Sequence, residues 1–282
     1  MIRNFYVDIF EEVTVKIGVI GFGNLGKAFV SGLLKSGFDI NDICLTARTE
    51  RTLNLAKETY PDILVSSNKA HLAQFADVLV LCVEPNHLPC VCKELSMLDI
   101  KDKIIISFAS KVSKNEIEEY LNAAKNNNII FRAMPNIAIK LCEGIIGVSI
   151  DEKDKLDRKI IEVLTVLEKL GKLIFVGEEE LEKITVVASC GLAFANMLIL
   201  SYQSNVEKYI NSKEMAKEIT HQLFLGTIKV LEDSCLSNED FNRLIATKGG
   251  VTEKGLEVFD LENMNSILEN VMSNSYEYAS KR

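Results

Sequence analysis

Short apolar runs alternate with amphipathic segments through the first part of the chain. Such runs are typical of buried strands, and the segments between them have helical spacing. Strands are predicted at VKIGVI (15–20), ICLTA (43–47), DILVS (62–66), DVLVLCV (77–83), IIISFA (104–109), IIFRAM (129–134) and LIFVG (173–177). Helices are predicted from the glycine turn to Ser36 and over 49–59, 87–97, 115–124 and 152–170. This alternation predicts an α/β fold, an N-terminal Rossmann domain with a doubly wound, mainly parallel sheet.

The pattern changes after residue 178, where long apolar helices replace the strands. Residues 181–210 are apolar around most of the helix circumference, which is typical of burial on several sides. A partner subunit is the simplest source of that burial, so we expect a homodimer or a higher assembly of dimers. We therefore predict an extension at 1–14, a Rossmann domain at 15–178, and an all-α dimerisation domain at 179–282. A loop, ATKGGVT (246–252), interrupts these helices.

A glycine motif follows the first predicted strand and opens a helix, which is the setting that dinucleotide binding requires. In a G-x-G-x-x-G motif the glycines allow a tight turn, close approach of a pyrophosphate and close helix–strand packing. The phosphates then lie at the helix N-terminus. The motif residues are Gly21, Phe22, Gly23, Asn24, Leu25 and Gly26.

The end of the second predicted strand indicates which nicotinamide cofactor binds. NAD-binding folds usually have an acidic residue there, which accepts from the ribose 2′-hydroxyl. This chain has Thr46-Ala47-Arg48-Thr49 instead, with Arg51 close behind. Arg48 favours a 2′-phosphate, and therefore NADPH, with NADH as the alternative. The opposing interpretation is that Arg48 and Arg51 are solvated residues at the start of a helix.

Composition narrows the classes of partner. The formal net charge of −8 argues against a broad attraction to nucleic acid or to an anionic membrane. We see no apolar run near the ~20 residues that span a bilayer and no signal peptide, so we expect a cytoplasmic protein. The seven cysteines are expected to be reduced core thiols. Cys90 and Cys92 lack the usual spacing of a metal pair, and no metal is expected.

Six segments in order along the chain resemble the pyrroline-5-carboxylate reductase family. They are IGFGNLGKA (20–28), SSNKA (66–70), ADVLVLCVEPNHL (76–88), FRAMPNIA (131–138), ASCGLAFA (188–195) and ATKGGVTEKGL (246–256). The resemblance implies reduction of the cyclic imine 1-pyrroline-5-carboxylate to L-proline by an NAD(P)H-dependent oxidoreductase. It also implies dimers through the helical domain, with each subunit's helices completing the other's site.

The resemblance further implies roles for individual residues. Asn68 corresponds to an asparagine near the adenosine, and Val83 and Pro85 to residues beside the nicotinamide ribose. The loops that frame the nicotinamide correspond to Ala109 and to Met134, Pro135 and Asn136. In the late loop, Gly249, Gly250 and Thr252 correspond to residues that hold the substrate carboxylate.

The chain departs from the family pattern at four places. Glu84 replaces the lysine of V-K-P, and Ile137 and Ala138 replace the threonine and proline of M-P-N-T-P. S-G-S-G-P-A loses one glycine and has Leu192 for its proline, and Lys248 replaces the proline of S-P-G-G-x-T. These changes leave two alternatives: a related imine or oxo-acid reductase, or a noncatalytic dinucleotide-binding paralogue. Oxo-acid members of the wider group use a lysine on the long helix as the acid–base residue. In this chain the nearest lysine before the ASCGLAFA segment is Lys183, which lacks the expected glycine-flanked setting.

No acid–base pair is required for the reaction that the resemblance implies. Reduction of a protonated C=N bond needs hydride delivery and positioning, so no certain catalytic side chain is expected. The three histidines are interpreted as structural or solvated; they are His71, His87 and His221.

Overall fold

The computed structural model describes residues 15–122, 126–234 and 236–280. The extension predicted at 1–14 and the end of the helix predicted to reach Ala124 lie outside these residues. The described chain divides into two compact units. Within the described residues, the first comprises 15–189 with 278–280, and the second comprises 190–277.

Eight strands of the first unit form one sheet in the order β3-β2-β1-β4-β5-β6-β7-β8. They are β1 (Ile17–Ile20), β2 (Ile43–Thr46), β3 (Leu64–Val65), β4 (Val78–Leu81), β5 (Ile104–Ser107), β6 (Ile129–Pro135), β7 (Gly144–Ser149) and β8 (Gly171–Phe175). All neighbouring strands are parallel except β6 and β7, which are antiparallel. The predicted Rossmann fold with a mainly parallel sheet is confirmed.

Helices separate the strands and cover both faces of the sheet. They are α1 (Asn24–Lys35), α2 (Glu50–Thr59), α3 (Lys69–Phe75), α4 (Leu88–Leu95), α5 (Lys114–Leu121) and α6 (Arg158–Glu168). Two buried apolar clusters result, one on each side. Val19, Val80 and Phe29 belong to one cluster, and Leu79 and Leu81 to the other. Strands buried on both faces explain why the sequence shows continuous apolar runs there.

Three parts of the first unit differ from the sequence prediction. None of the predicted helix ranges covers α3. Strand β7 was not predicted, although Gly144–Ser149 has the composition of a buried strand. The helix predicted from residue 152 begins only at Arg158, because the preceding segment is polar and turns. The Asp157 side chain caps α6 by accepting from the backbone N–H groups of Lys159 and Ile160. A capping aspartate of this kind satisfies N–H groups that a helix leaves free at its start.

The second unit is helical, as predicted. A short helix α7 (Leu181–Ile184) and a π-helical segment, Thr185–Cys190, precede it at the end of the first unit. The later helices are α8 (Gly191–Val206), α9 (Lys213–Ser234), α10 (Asn238–Ile245), α11 (Val251–Leu256) and α12 (Leu261–Ser280). Among the described residues of this unit, only Ala216 and Thr220 are buried in the single chain.

The expectation that no run is apolar and long enough for a bilayer is wrong. One helical stretch, Glu178–Val206, passes that criterion by length and composition, with a mean hydropathy of 2.0 in its most apolar window. Side chains such as Met197 and Leu200 are exposed on it in the single chain. Composition alone does not distinguish a bilayer from the surface of another subunit, because both remove apolar side chains from water.

Candidate functional site

The glycine turn after β1 requires glycine at two of its positions. Gly21 has a φ of +107°, and a Cβ there would lie 2.4 Å from the Cys82 carbonyl oxygen. A Cβ on Gly26 would lie 2.2 Å from the Gly21 carbonyl oxygen. Gly23 instead has open space within 4 Å, which leaves room for a ligand to approach the backbone. Gly23 also caps α1 without a side-chain hydrogen bond, so the capping residue satisfies none of the first N–H groups of the helix through a side chain.

The other motif residues have different surroundings. Phe22 is buried in the apolar core, and its ring meets Tyr60 edge to face. Asn24 is exposed at the first position of α1, and Leu25 packs partly against the core. The side chains therefore anchor the turn, while the backbone of Gly23 and of the first helical residues remains available.

A cavity of about 1300 Å³ lies beside this turn. Its walls are the glycine turn, the segment after β2 and the segment after β4. Since β2 and β4 are the two neighbours of β1, these three segments meet at the carboxyl ends of adjacent parallel strands. This is the switch point of a doubly wound sheet, where such folds bind nucleotides.

Arg48 lies in the wall formed after β2. Its Nη1 atom is 2.8 Å from Nε2 of His87, which lies in the wall formed after β4. Next to Arg48, the hydroxyl of Thr49 caps α2 by accepting from the Thr52 N–H. The structure thus places a guanidinium at the cavity, in the position where NAD-binding folds usually have a carboxylate. Acidic residues also line the cavity, among them Glu50 in the first turn of α2.

Arg51, which follows Arg48 in the sequence, also lines the cavity, and a third cation there, Lys69, was not predicted. Lys69 Nζ is 2.7 Å from Oε2 of Glu94, and the Cys90 thiol donates to the other carboxylate oxygen. The hydrogen bond from Lys69 lowers the pKa of Glu94, so the pair is charged at neutral pH. Burial raises the pKa of the Cys82 thiol, which also lines the cavity, and it stays protonated. The position of Lys69, directly after the family-like segment SSN (66–68), was the available signal.

Two residues given roles by the family resemblance flank the cavity without lining it. Asn68 caps α3, since its Oδ1 accepts from the Ala70 N–H at 2.9 Å. Pro85 starts the single turn that precedes α4. In both cases neighbouring residues line the cavity instead, Lys69 beside Asn68 and Val83 near Pro85.

A separate group lies at the carboxyl ends of β5 and β6. Ala109, Met134 and Asn136 are buried, and Asn136 donates through Nδ2 to the Ala188 carbonyl at 3.0 Å. The Pro135 carbonyl accepts from the Ser189 hydroxyl. These residues join the sheet to the segment that leads into α8, and they lie outside the lining of the large cavity.

Arg132 is a buried cation in this group that sequence analysis missed. Its Nη1 is 2.7 Å from Glu178, and its Nη2 donates to Glu182 at 2.9 Å and to the Ala109 carbonyl at 3.1 Å. One oxygen of each glutamate has no hydrogen-bond partner among the described residues. A buried guanidinium shared by two carboxylates ties β6 and the loop after β5 to the start of α7.

The late loop lies between α10 and α11. Gly249 has a φ of +75°, and its N–H donates to Oε2 of Glu253 at 2.7 Å. The Gly250 N–H donates to the Thr247 carbonyl at 2.8 Å. Lys248 and Thr252 are exposed, Thr252 in the first turn of α11. The predicted break between helices is therefore present, and both glycine N–H groups already have acceptors within the loop.

A glycine turn, a helix N-terminus and a cavity at the switch point of a doubly wound sheet define a dinucleotide-binding protein. Within the described residues, no three His, Cys, Asp or Glu side chains come together as a metal site.

Two family models match the chain. Residues 16–111 match "NADP oxidoreductase coenzyme F420-dependent", and residues 178–282 match "Pyrroline-5-carboxylate reductase dimerisation". A pyrroline-5-carboxylate reductase of Vibrio alginolyticus is 30% identical over 91% of this chain and 93% of its own. The corresponding protein of Haemophilus influenzae is 27% identical with the same coverage. A solved pyrroline-5-carboxylate reductase of Coxiella burnetii is 28% identical, with a TM-score of 0.83 over 95% of this chain and 98% of that one.

The chain therefore belongs to the pyrroline-5-carboxylate reductase family, as its motifs predicted. The match to the dimerisation model includes Glu178–Val206, the stretch that is apolar enough for a bilayer. Association of subunits accounts for apolar helices that a single chain leaves uncovered.

Proposed function

We propose that this chain reduces 1-pyrroline-5-carboxylate to L-proline with NADPH, the last step of proline biosynthesis. One observation carries the proposal: the glycine turn opens on a cavity in a chain 30% identical, over nearly its whole length, to a pyrroline-5-carboxylate reductase. The enzyme class is NAD(P)H-dependent oxidoreductase, and the cofactor is NADPH.

The residues beside the cavity fit a phosphorylated dinucleotide. Gly23 leaves open space at the start of α1, where N–H groups donate to phosphate oxygens. Arg48 supplies a guanidinium for a 2′-phosphate, and Asn68 lies next to the cavity lining for the adenosine. The nicotinamide end is assigned to Val83 and Pro85 and to the group at β5 and β6, namely Ala109, Met134, Pro135 and Asn136.

Bound NADPH supplies a hydride, which adds to the carbon of the substrate C=N bond, while nitrogen carries the added proton. An iminium that is protonated in solution needs no acid from the chain, so the residues contribute by binding and orienting. Gly249, Gly250 and Thr252 are proposed to hold the substrate carboxylate, with Lys248 as a further positive charge. To bind the substrate in this way, the Gly249 N–H must give up its hydrogen bond to Glu253 and donate to the substrate carboxylate.

The assembly is proposed to be a homodimer, or a higher assembly of dimers, built on residues 179–282. Exposed apolar side chains on α8 and α9 and the match to the dimerisation model support it. The proposed domains are 15–178 for the cofactor and 179–282 for dimerisation and substrate, and the proposed location is the cytoplasm.

The test is NADPH oxidation with 1-pyrroline-5-carboxylate, measured for the wild type and for Thr252→Ala. Thr252→Ala should raise KM about tenfold with a smaller change in kcat, because a hydroxyl that holds the carboxylate contributes uniform binding. Turnover at background level with intact NADPH binding would overturn the proposal and leave the noncatalytic alternative. Turnover only with other imines or with small oxo acids would support the related reductase.

The cofactor assignment has its own test in Arg48→Ala. The substitution should weaken NADPH binding about 30-fold and NADH binding less than twofold, because only NADPH carries the 2′-phosphate that a guanidinium binds. Equal losses for both cofactors would contradict the role of Arg48.

A further inference from the structure

We propose that His87 is a positioning residue that sets the Arg48 guanidinium for the cofactor's 2′-phosphate. This Arg48–His87 relay makes the preference for NADPH depend on a residue that follows β4, not β2. The proposal rests on the NADPH-dependent function proposed above and adds to it the residue that orients the phosphate-binding group.

The chemistry of the two side chains fixes the direction of the hydrogen bond between Arg48 and His87. A guanidinium has only donors, so Arg48 Nη1 donates to Nε2 of His87 over the 2.8 Å between them. His87 is then neutral, with its proton on Nδ1. Nδ1 lies 3.6 Å from Oε2 of Glu84, which is longer than a hydrogen bond, so the relay rests on the Arg48–His87 contact alone. Arg48 keeps four further N–H donors for a ligand.

The Arg48–His87 hydrogen bond connects two walls of the cavity. Arg48 follows β2, whereas Glu84 and His87 follow β4, and all three line the cavity. His87 ends the single turn that Pro85 begins, directly before α4. Because proline restricts φ and the turn leads into a packed helix, the imidazole has a defined position from which to hold a long side chain.

Holding the guanidinium before the ligand arrives lowers the cost of binding. An arginine side chain has many rotamers, and a ligand that must immobilise it loses affinity. A hydrogen bond to His87 removes part of that freedom in the free protein. Glu84, the carboxylate that replaces the family's lysine, lies beside the imidazole that holds Arg48.

The experiment measures NADPH and NADH dissociation constants for His87→Ala, His87→Gln, Arg48→Ala and the His87→Ala/Arg48→Ala double variant. His87→Ala should weaken NADPH about fivefold, the size of one net hydrogen bond, and leave NADH unchanged. His87→Gln should recover most of the loss, since its amide oxygen can accept from Arg48. In the Arg48→Ala background, His87→Ala should have no further effect. His71→Ala, an exposed histidine on α3, is the matched control.

Each contrary result overturns the relay. Unchanged NADPH binding in His87→Ala removes the positioning role. An equal loss of NADPH and NADH shows a general effect on the cavity. A fivefold loss that persists without Arg48 shows direct contact between His87 and the phosphate. Two other results would show that the NADPH assignment itself is wrong. In one, the wild type binds NADPH and NADH equally; in the other, Arg48→Ala binds NADPH as tightly as the wild type.

Discussion

The two glycine-containing loops of this chain differ in what surrounds them. At the first, Gly21 and Gly26 lie so close to backbone atoms that any Cβ would overlap them. At the second, a Cβ on Gly249 would meet nothing within 4 Å, and only its φ of +75° favours glycine, while a Cβ on Gly250 would crowd only the loop's own Thr247, with its hydroxyl oxygen 2.5 Å away. The first loop follows a buried strand, whereas the second joins two helices that have no buried residues in the single chain.

This difference indicates how each site is formed. The cofactor turn is positioned by a sheet whose core lies within the first unit, so it is ready before any ligand binds. The late loop satisfies its own donors through Thr247 and Glu253. The substrate role proposed for this loop therefore requires a rearrangement, which a ligand or a partner subunit would have to bring about. Four substitutions, in decreasing order of expected effect, test this contrast.

Gly26→Ala should have the largest effect. Its Cβ would lie 2.2 Å from the Gly21 carbonyl oxygen, and neither backbone can move without disturbing the sheet. We expect a loss of about 2–3 kcal/mol in the free energy of unfolding, typical of overpacking, and loss of NADPH binding. Denaturant unfolding and fluorescence titration measure the two quantities. The matched control is Gly23→Ala, which should keep the stability while still obstructing NADPH; a stable Gly26→Ala would contradict the crowded turn.

Met197→Glu tests whether the second unit depends on a partner. Met197 is 64% exposed on α8 in the single chain. If it is buried between subunits, a carboxylate there should raise the dimer dissociation constant at least about 100-fold, because an unpaired charge is costly to bury. Sedimentation gives the constant. Met97→Glu changes a similarly exposed methionine of the first unit and should leave the dimer intact. An unchanged dimer in Met197→Glu would place the interface elsewhere.

Gly249→Ala should cost less than Gly26→Ala. With no neighbouring atoms, the only penalty is the left-handed backbone, about 1–2 kcal/mol for a residue with a side chain. Thermal unfolding measures this loss, and we also expect KM for the imine to rise. Gly255→Ala is the control, since alanine at this open position in α11 should stabilise the helix by about 0.5–1 kcal/mol. A loss as large as that of Gly26→Ala would show that the loop is packed.

Glu253→Gln should give the smallest effect. The Gly249 N–H donates to this carboxylate at 2.7 Å, so under the proposed function Glu253 competes with the substrate carboxylate for this donor. Glutamine keeps the shape and removes the charge, and we expect KM for the imine to fall about two- to threefold, because the neutral acceptor is weaker. Steady-state kinetics with saturating NADPH measures the change. A rise in KM would mean that Glu253 arranges the loop for its ligand.

Much of the first unit could be predicted from local sequence. Apolar runs locate seven of the eight strands, and the glycine motif locates the turn, because both signals come from neighbouring residues. Strand β7 was missed, and its antiparallel pairing with β6 depends on long-range register that no local pattern carries. In the cavity, Arg48 was predicted from its place after β2, but its contact with His87 joins residues 39 positions apart.

The sequence by itself determined the fold class, the family and the place of the cofactor turn, since these depend on periodicity and on short motifs. The tertiary structure decided which polar groups meet. It placed Arg132 between Glu178 and Glu182, which are 46 and 50 residues away along the chain. It also made Glu253 the acceptor of the Gly249 N–H. The physical reason is distance: hydrogen bonds and ion pairs act over a few ångströms, and only the folded chain brings these atoms that close.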